Sequence, residues 1–243
     1  MARVATAYRS ALKGREHVAR GTMAFVFERP AGFIHRAGQS MEIELPRGML
    51  ADEEARRHHF TIASAPYEDD LLIATRMRPS PFKEALQSLP PTARVTLEEP
   101  SGQFVLHEDP TRPAVFLAGG IGVTAPRAII RQTLHEQLDH ELFLFYADQR
   151  PEEAAFLGEL RRMARGHPRF TLIPTMTDLN GAEEWDGEIG RIGMRMLRDY
   201  VDLMGNPVYY VSGPPKMAKT MRRMLKRAGI SEAGIRSEEY TGY

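Results

Sequence analysis

Cysteine is missing altogether from the 243 residues. Its absence excludes disulfides, a thiol nucleophile and an iron–sulfur cluster held by this chain, whatever the fold. An excess of either charge is missing too. Thirty-two basic residues balance 32 acidic ones, so no overall field points to nucleic acid or an acidic membrane surface. No apolar run approaches the roughly 18 to 20 residues that cross a bilayer. The opening stretch MARVATAYRSALKGREHVARG lacks the apolar centre of a signal peptide. These gaps lead us to expect a soluble, cytoplasmic protein with no nucleic-acid partner and no membrane insertion. Internal repeats and low-complexity tracts are also absent.

Metal-ligand spacing is not found either. HEQLDH (135–140) holds its histidines five apart, where the zinc-binding helix pattern needs four. His58 and His59 are adjacent on an expected strand and point to opposite faces. GPPKMAKT (213–220) lacks one glycine of a triphosphate-binding loop. We expect no metal.

What is present follows two rhythms. In the first part, MEIEL (41–45) and RVTLE (94–98) alternate apolar with polar, and TMAFVFE (22–28), HFTIAS (59–64) and LLIATR (71–76) are further strand candidates. PFKEALQSL (81–89) is the one short helix read here. About six short strands with little helix predict a small antiparallel barrel or sandwich over residues 1–108. LHEDPTRP (106–113) is the connector. Beyond it, apolar runs at 114–118, 141–147, 169–175 and 207–213 alternate with helical patterns. One helix carries Ile129, Ile130, Leu134 and Leu138 on a stripe, the next Phe156, Leu157, Leu160 and Met163. The last buries Met217, Met221, Met224 and Leu225. Unbroken apolar strands alternating with amphipathic helices predict an α/β unit with a parallel sheet over 113–243.

Two glycine turns stand out. AGGIGVTAPR (118–127) follows a strand and opens a helix, with Pro126 suited to the first turn. SGPPKM (212–217) repeats that geometry after the fourth strand, which puts it on the same edge of the sheet. Strand ends of a parallel sheet are where ligands bind, and helix-start N–H groups attract anions. Two such turns side by side predict a long cleft for an extended ligand such as a dinucleotide.

Taken in order, these segments resemble the ferredoxin–NADP reductase family of flavoenzymes. AGQSMEIELP (37–46) is similar to the family's barrel segment, and HHFTIAS (58–64) to its flavin-binding R-x-Y-S or R-x-F-T signature. GGIGVTAP (119–126) resembles its nicotinamide-nucleotide loop. YYVSGPPKM (209–217) resembles the segment usually read as C-G-P-x-x-M, and EEYTGY (238–243) its aromatic tail. The resemblance implies an FAD-bearing barrel, with FAD ahead of FMN, joined to a domain that takes NADH or NADPH. Hydride would pass between the two rings, a reaction of positioning that needs no nucleophile or general acid from the protein.

Carried over position by position, Phe60 would lie against the flavin ring and Thr61 would hydrogen-bond near its reactive nitrogen. Ile62, Ala63 and Ser64 would offer backbone to the ring edge and the chain beyond it. The family's phosphate-gripping arginine falls on His58, a weaker anion partner when neutral. Arg57, Arg76 and Arg78 are candidates to replace it, with Ser80 at the short helix start supplying backbone donors. Gly119, Gly120, Gly122, Val123 and Thr124 would hold the nucleotide pyrophosphate. Ser212 stands where the family usually has cysteine, beside the reactive nicotinamide carbon, with Gly213 and Pro214 shaping that pocket. Thr61 and Ser212 are thus the expected catalytic positions. Either Tyr240 or Tyr243 would cover the flavin face. Asp148 and Arg150 would face the adenosine ribose, one suiting a 2′-hydroxyl and the other a 2′-phosphate, so NADH and NADPH both stay open.

The resemblance further implies a separate electron acceptor. An acidic redox protein would dock near Lys216, Lys219, Arg222, Arg223, Lys226 and Arg227, and an oxygenase component or a small molecule is the other expectation. Two rival readings remain: a flavin-binding accessory subunit with little nicotinamide turnover, and a nucleotide module that has lost flavin.

Overall fold

The computed structural model describes residues 7–179, 184–201 and 205–240. The N-terminal unit is a six-stranded antiparallel sheet of β1 (Ala7–Ala19), β2 (Thr22–Glu28), β3 (Ser40–Glu44), β4 (Arg57–Thr61), β5 (Asp70–Arg76) and β6 (Arg94–Glu98). Its order is β4-β3-β6-β1-β2-β5. The two edges curl together. The Ala63 N–H donates to the Leu72 carbonyl at 2.7 Å, and the Leu72 N–H to Ser64 Oγ at 3.0 Å. Alternate residues of these strands, including Phe25, Phe27, Met41, Ile43, Leu71, Ile73, Val95 and Leu97, fill the interior. Helix α1 (Pro81–Ser88) closes one end with Phe82 and Leu86.

The second unit is a parallel sheet, ordered β10-β9-β8-β7-β11-β12. Its strands are β7 (Ala114–Gly119), β8 (Leu142–Asp148), β9 (Phe170–Met176), β10 (Glu188–Ile189), β11 (Val208–Gly213) and β12 (Ile235–Glu239). Helices α2 (Thr124–His135), α3 (Leu157–Gly166), α4 (Met194–Tyr200) and α5 (Pro215–Arg227) cover it. One face packs Phe116, Leu144 and Tyr210 against Ile129, Ile130 and Leu160. The other packs Val115, Phe145 and Val211 against Leu197, Met221 and Leu225. Strands apolar on both faces are therefore sandwiched between helix layers. The chain runs outward from β7 to β10, then returns to β11 on the other side of β7. The crevice between the C-terminal ends of β7 and β11 is thus a topological switch point, where open α/β sheets bind ligands.

Several elements depart from the sequence reading. The longest strand, β1, escaped it because only Ser10 and Leu12 are fully buried. Its place is set by backbone pairing to both β2 and β6, not by an apolar face. Also unread were the two-residue β10, α4 and the polar edge strand β12. Leu138 is not on the α2 stripe: the helix ends at His135, Gln137 takes a left-handed turn (φ 54°), and Leu138 is 39% exposed. Phe156 precedes α3 with φ 60° instead of lying within it, although it is buried. On α5, Met221 and Leu225 are buried, while Met217 and Met224 are only partly covered.

Candidate active site

The two glycine turns touch each other at the switch point. Gly120–Val123 form a single 3-10 turn that runs directly into α2, with Gly120 at φ 52°. A side chain on Gly122 would come within 2.5 Å of the Ser212 carbonyl and 2.8 Å of the Gly213 Cα. Both neighbours are backbone and cannot yield, so only glycine allows this approach. Gly213 itself has φ 155° and packs against the Gly119 backbone. Pro214 and the Met217 sulfur lie beside Gly119. Val123 and Thr124 are buried, and Thr124 Oγ1 donates to the Ile121 carbonyl at 3.0 Å. Ser212 is fully buried, and its Oγ finds no hydrogen-bond partner among the described residues. A polar atom left that way at a strand end awaits a ligand or water.

A cleft opens where this region meets the barrel. His58, His59, Phe60, Thr61, Ala74, Thr75 and Arg76 come from the barrel strands. Lys83 comes from α1, Ile121 and Thr124 from the glycine turn, and Tyr240 from the segment after β12. Three segments far apart in the chain thus line one cleft. Thr61 Oγ1 donates to Tyr240 Oη at 2.9 Å, and Tyr240 Oη donates to Glu238 at 3.4 Å. The Tyr240 N–H also donates to the Gly213 carbonyl at 3.1 Å. With Tyr240 in this position the enclosed space is only ≈ 50 Å³. Burial pushes the Glu238 carboxyl up to about 7, against the opposing hydrogen bond from Tyr240.

The cation content of the cleft is unusual. His58 packs edge-on against Phe60 at 4.8 Å and Phe82 at 5.3 Å. Burial first, then Lys83 and His59, hold its pKa below the ordinary imidazole value, so it is neutral at pH 7. Lys83 is 5% exposed, and its Nζ donates to the Arg76 carbonyl at 2.8 Å. Burial and Arg78 lower its pKa. Sequence reasoning passed over Lys83, though a lysine on the buried side of a short amphipathic helix is a readable signal. Glu238 and Arg127 were also missed, for want of any pattern that separates them from their neighbours.

The remaining candidates have other neighbours. Ile62 and Ala63 are fully buried beneath the cleft, and Ser64 Oγ accepts from Leu72. Ser80 is the N-cap residue of α1, without a side-chain capping bond. Arg76 Nη2 reaches across to both carboxylate oxygens of Asp148, at 2.7 and 2.9 Å. Burial opposes both charges here. Asp148 and Glu153 keep the Arg76 pKa above its ordinary value, whereas burial of Asp148 outweighs the pull of Arg76 and raises that carboxyl. Arg150 pairs instead with Asp178 at 2.8 Å. On α5, Arg222 and Lys226 both pair with Glu232, while Lys216, Lys219, Arg223 and Arg227 are exposed. Tyr243 lies outside the described residues. Among the described residues no helix is long and apolar enough to cross a membrane, and no group of three metal-ligating side chains occurs.

Comparison with known proteins agrees with this arrangement. The oxidoreductase NAD-binding domain family matches residues 116–223, which include both glycine turns. A ferredoxin–NADP reductase of Sorangium cellulosum is 28% identical over 224 residues, 88% of this chain and 89% of that protein. The chain is thus similar to a ferredoxin–NADP reductase along most of its length. Two solved structures share the fold over nearly the whole chain. The cytochrome P450 reductase of Amycolatopsis superposes with a TM-score of 0.82 at 23% identity, covering 98% of this chain and 71% of that one. A ferredoxin–NADP+ reductase of Neisseria gonorrhoeae, solved with bound FAD and NADP, gives 0.79 at 18%, covering 96% and 98%. Other curated relatives are longer. The chain spans 42% of the xylene/toluene monooxygenase electron transfer component of Pseudomonas putida, at 27% identity over 61% of its own length.

Proposed function

We propose that the chain is an FAD-dependent NAD(P)H reductase that hands electrons to a separate acceptor. The observation that carries this reading is the shared cleft, in which the expected flavin segment, the glycine turn and Tyr240 face one another. The donor set fits a flavin nucleotide: an aromatic wall at Phe60, a hydroxyl at Thr61, and a buried cation at Lys83 for phosphate. When bound, FAD would accept hydride from the nicotinamide and release electrons onward.

The protein's own part is to bind and align. Phe60 would support the ring, and Thr61 would hydrogen-bond its edge in exchange for Tyr240. Lys83, charge-assisted, would meet the flavin phosphate that neutral His58 grips weakly. Gly122 and Gly213 leave the backbone bare where a nicotinamide nucleotide would lie, and the start of α2 offers N–H groups to its pyrophosphate. Ser212 would use its unpartnered hydroxyl on the nicotinamide. Tyr240 closes the cleft and excludes water until a ring displaces it. The acceptor in this proposal is a redox protein, an oxygenase component or a small molecule. The exposed cations of α5 suit an acidic carrier, whose reduction would then slow as salt rises.

Anaerobic spectroscopy tests the reading. The purified chain is loaded with FAD and mixed with NADH and, separately, NADPH. Rapid bleaching of the flavin bands is expected with one of them. A yellow protein that neither nucleotide bleaches would point to an accessory subunit, and failure to take up flavin would overturn the proposal.

A further inference from the structure

One buried arginine joins the barrel to the nucleotide-binding helix. Arg127 lies on the first turn of α2, just past the glycine turn, and is 5% exposed. Its Nη1 donates to the Ala63 carbonyl at 2.6 Å. Nε and Nη2 meet the Glu159 carboxylate at 3.0 and 2.9 Å, and the guanidinium lies over the Phe156 ring, 4.9 Å from its centre. Glu68, on the loop after the flavin segment, is 3.4 Å away. One planar group therefore contacts the flavin segment, α3 and the turn before α3.

Stability is a poor explanation for such a residue. Burying a guanidinium carries a large desolvation cost, and apolar replacement of buried ion pairs is often neutral or stabilising. A rigid fork of donors is better suited to fixing one element against another. The backbone of Ala63 is held from both sides. Its N–H bonds β5 inside the barrel, and its carbonyl bonds Arg127 of the nucleotide unit. Thr61 is two residues before Ala63, and Thr124 three residues before Arg127. Both threonines line the cleft.

We propose that Arg127 is a positioning residue for hydride transfer, setting the separation of the flavin segment (58–64) from the dinucleotide turn (119–124). The proposal rests on the reductase reading given above. Loss of the fork frees α2 to shift against the barrel, and a displacement of about 1 Å in a positioned reaction costs about a hundredfold in rate.

The test compares R127M, which keeps length and apolar bulk, with R127K, which keeps charge but not the fork. Three readouts are taken beside wild type: flavin dissociation constant, anaerobic bleaching rate against nucleotide concentration, and amide exchange of residues 62–65 in the flavin-free protein. The expected result is faster exchange at 62–65 and bleaching slowed about tenfold to a hundredfold at saturating nucleotide. Flavin affinity and the half-saturating nucleotide concentration change little. Saturated bleaching within about twofold of wild type in both variants would overturn the proposal, as would a slower rate traced wholly to lost flavin or nucleotide affinity. If R127M does not fold, R127K decides by the same criteria. Wild-type protein that binds flavin but never bleaches sinks the reductase reading first, a result distinct from a variant that bleaches normally.

Discussion

Thr61 and Tyr240, 179 positions apart in the chain, meet through their hydroxyls at 2.9 Å. That bond joins a barrel strand to the segment after the last strand of the parallel sheet, beside a cleft with ≈ 50 Å³ of space. In the proposed function a flavin ring that bonds Thr61 breaks it. Tyr240→Ala is therefore expected to bind FAD about fivefold more tightly, since no hydrogen bond worth about 1 kcal/mol must be surrendered. Fluorescence titration of free FAD with wild-type and variant protein measures this. Unchanged affinity would show that Tyr240 does not guard the cleft.

Lys83 supplies the buried cation beside a neutral His58. Replacing it by methionine, which keeps the stem and removes the charge, should weaken FAD binding by about 2 kcal/mol, a charge-assisted hydrogen bond's worth. His58→Ala should do far less. Fluorescence titration of free FAD gives both numbers, and an equal or larger loss in His58→Ala would reverse the assignment.

Glu238 carries a pH signature. Its carboxyl titrates near 7 when folded, against the ordinary 4.5 when unfolded. The folded state holds this proton more tightly, so the resulting stability is complete below pH 4.5 and is lost as pH rises through 7. A shift of this size corresponds to something on the order of 3 kcal/mol. Glu238→Gln should remove that slope between pH 4.5 and 7 in urea melts. A variant whose stability tracks wild type across the window would show that Glu238 is not the group responsible.

Arg76 and Asp148, which the sequence offered as ligands for flavin phosphate and ribose, are paired with each other across the two units. Their side chains are 17% and 3% exposed, so removing one partner strands a buried charge. Arg76→Gln should destabilise by about 3 kcal/mol, and Arg76→Gln with Asp148→Asn by clearly less. Chemical denaturation of the single and double variants decides it. Additive losses would mean that the pair is not coupled.

The parallel sheet was legible because β7, β8 and β11 are apolar on both faces, and the glycine turns because they break those runs at strand ends. Strand β1 was not legible. Its pairing with β2 and β6 is a backbone property that leaves little mark on AYRSALKGREHVA. The cleft was half legible. Phe60 and Thr61 sit in a recognisable string, whereas Lys83, Arg127 and Glu238 derive their character from burial beside residues distant in sequence. Single-residue patterns carry no record of such neighbours.

The distance in sequence between Thr61 and Tyr240 also dictates an order of assembly on the ribosome. At about 5 to 20 residues per second, Thr61 is made about 10 to 35 seconds before the tyrosine that covers it. During that interval Thr61 and Lys83 lack the lid that later shields them. A newly made barrel thus has a period in which its cofactor groove is open from above, and loading with the prosthetic group during translation would meet less obstruction than loading of the finished chain.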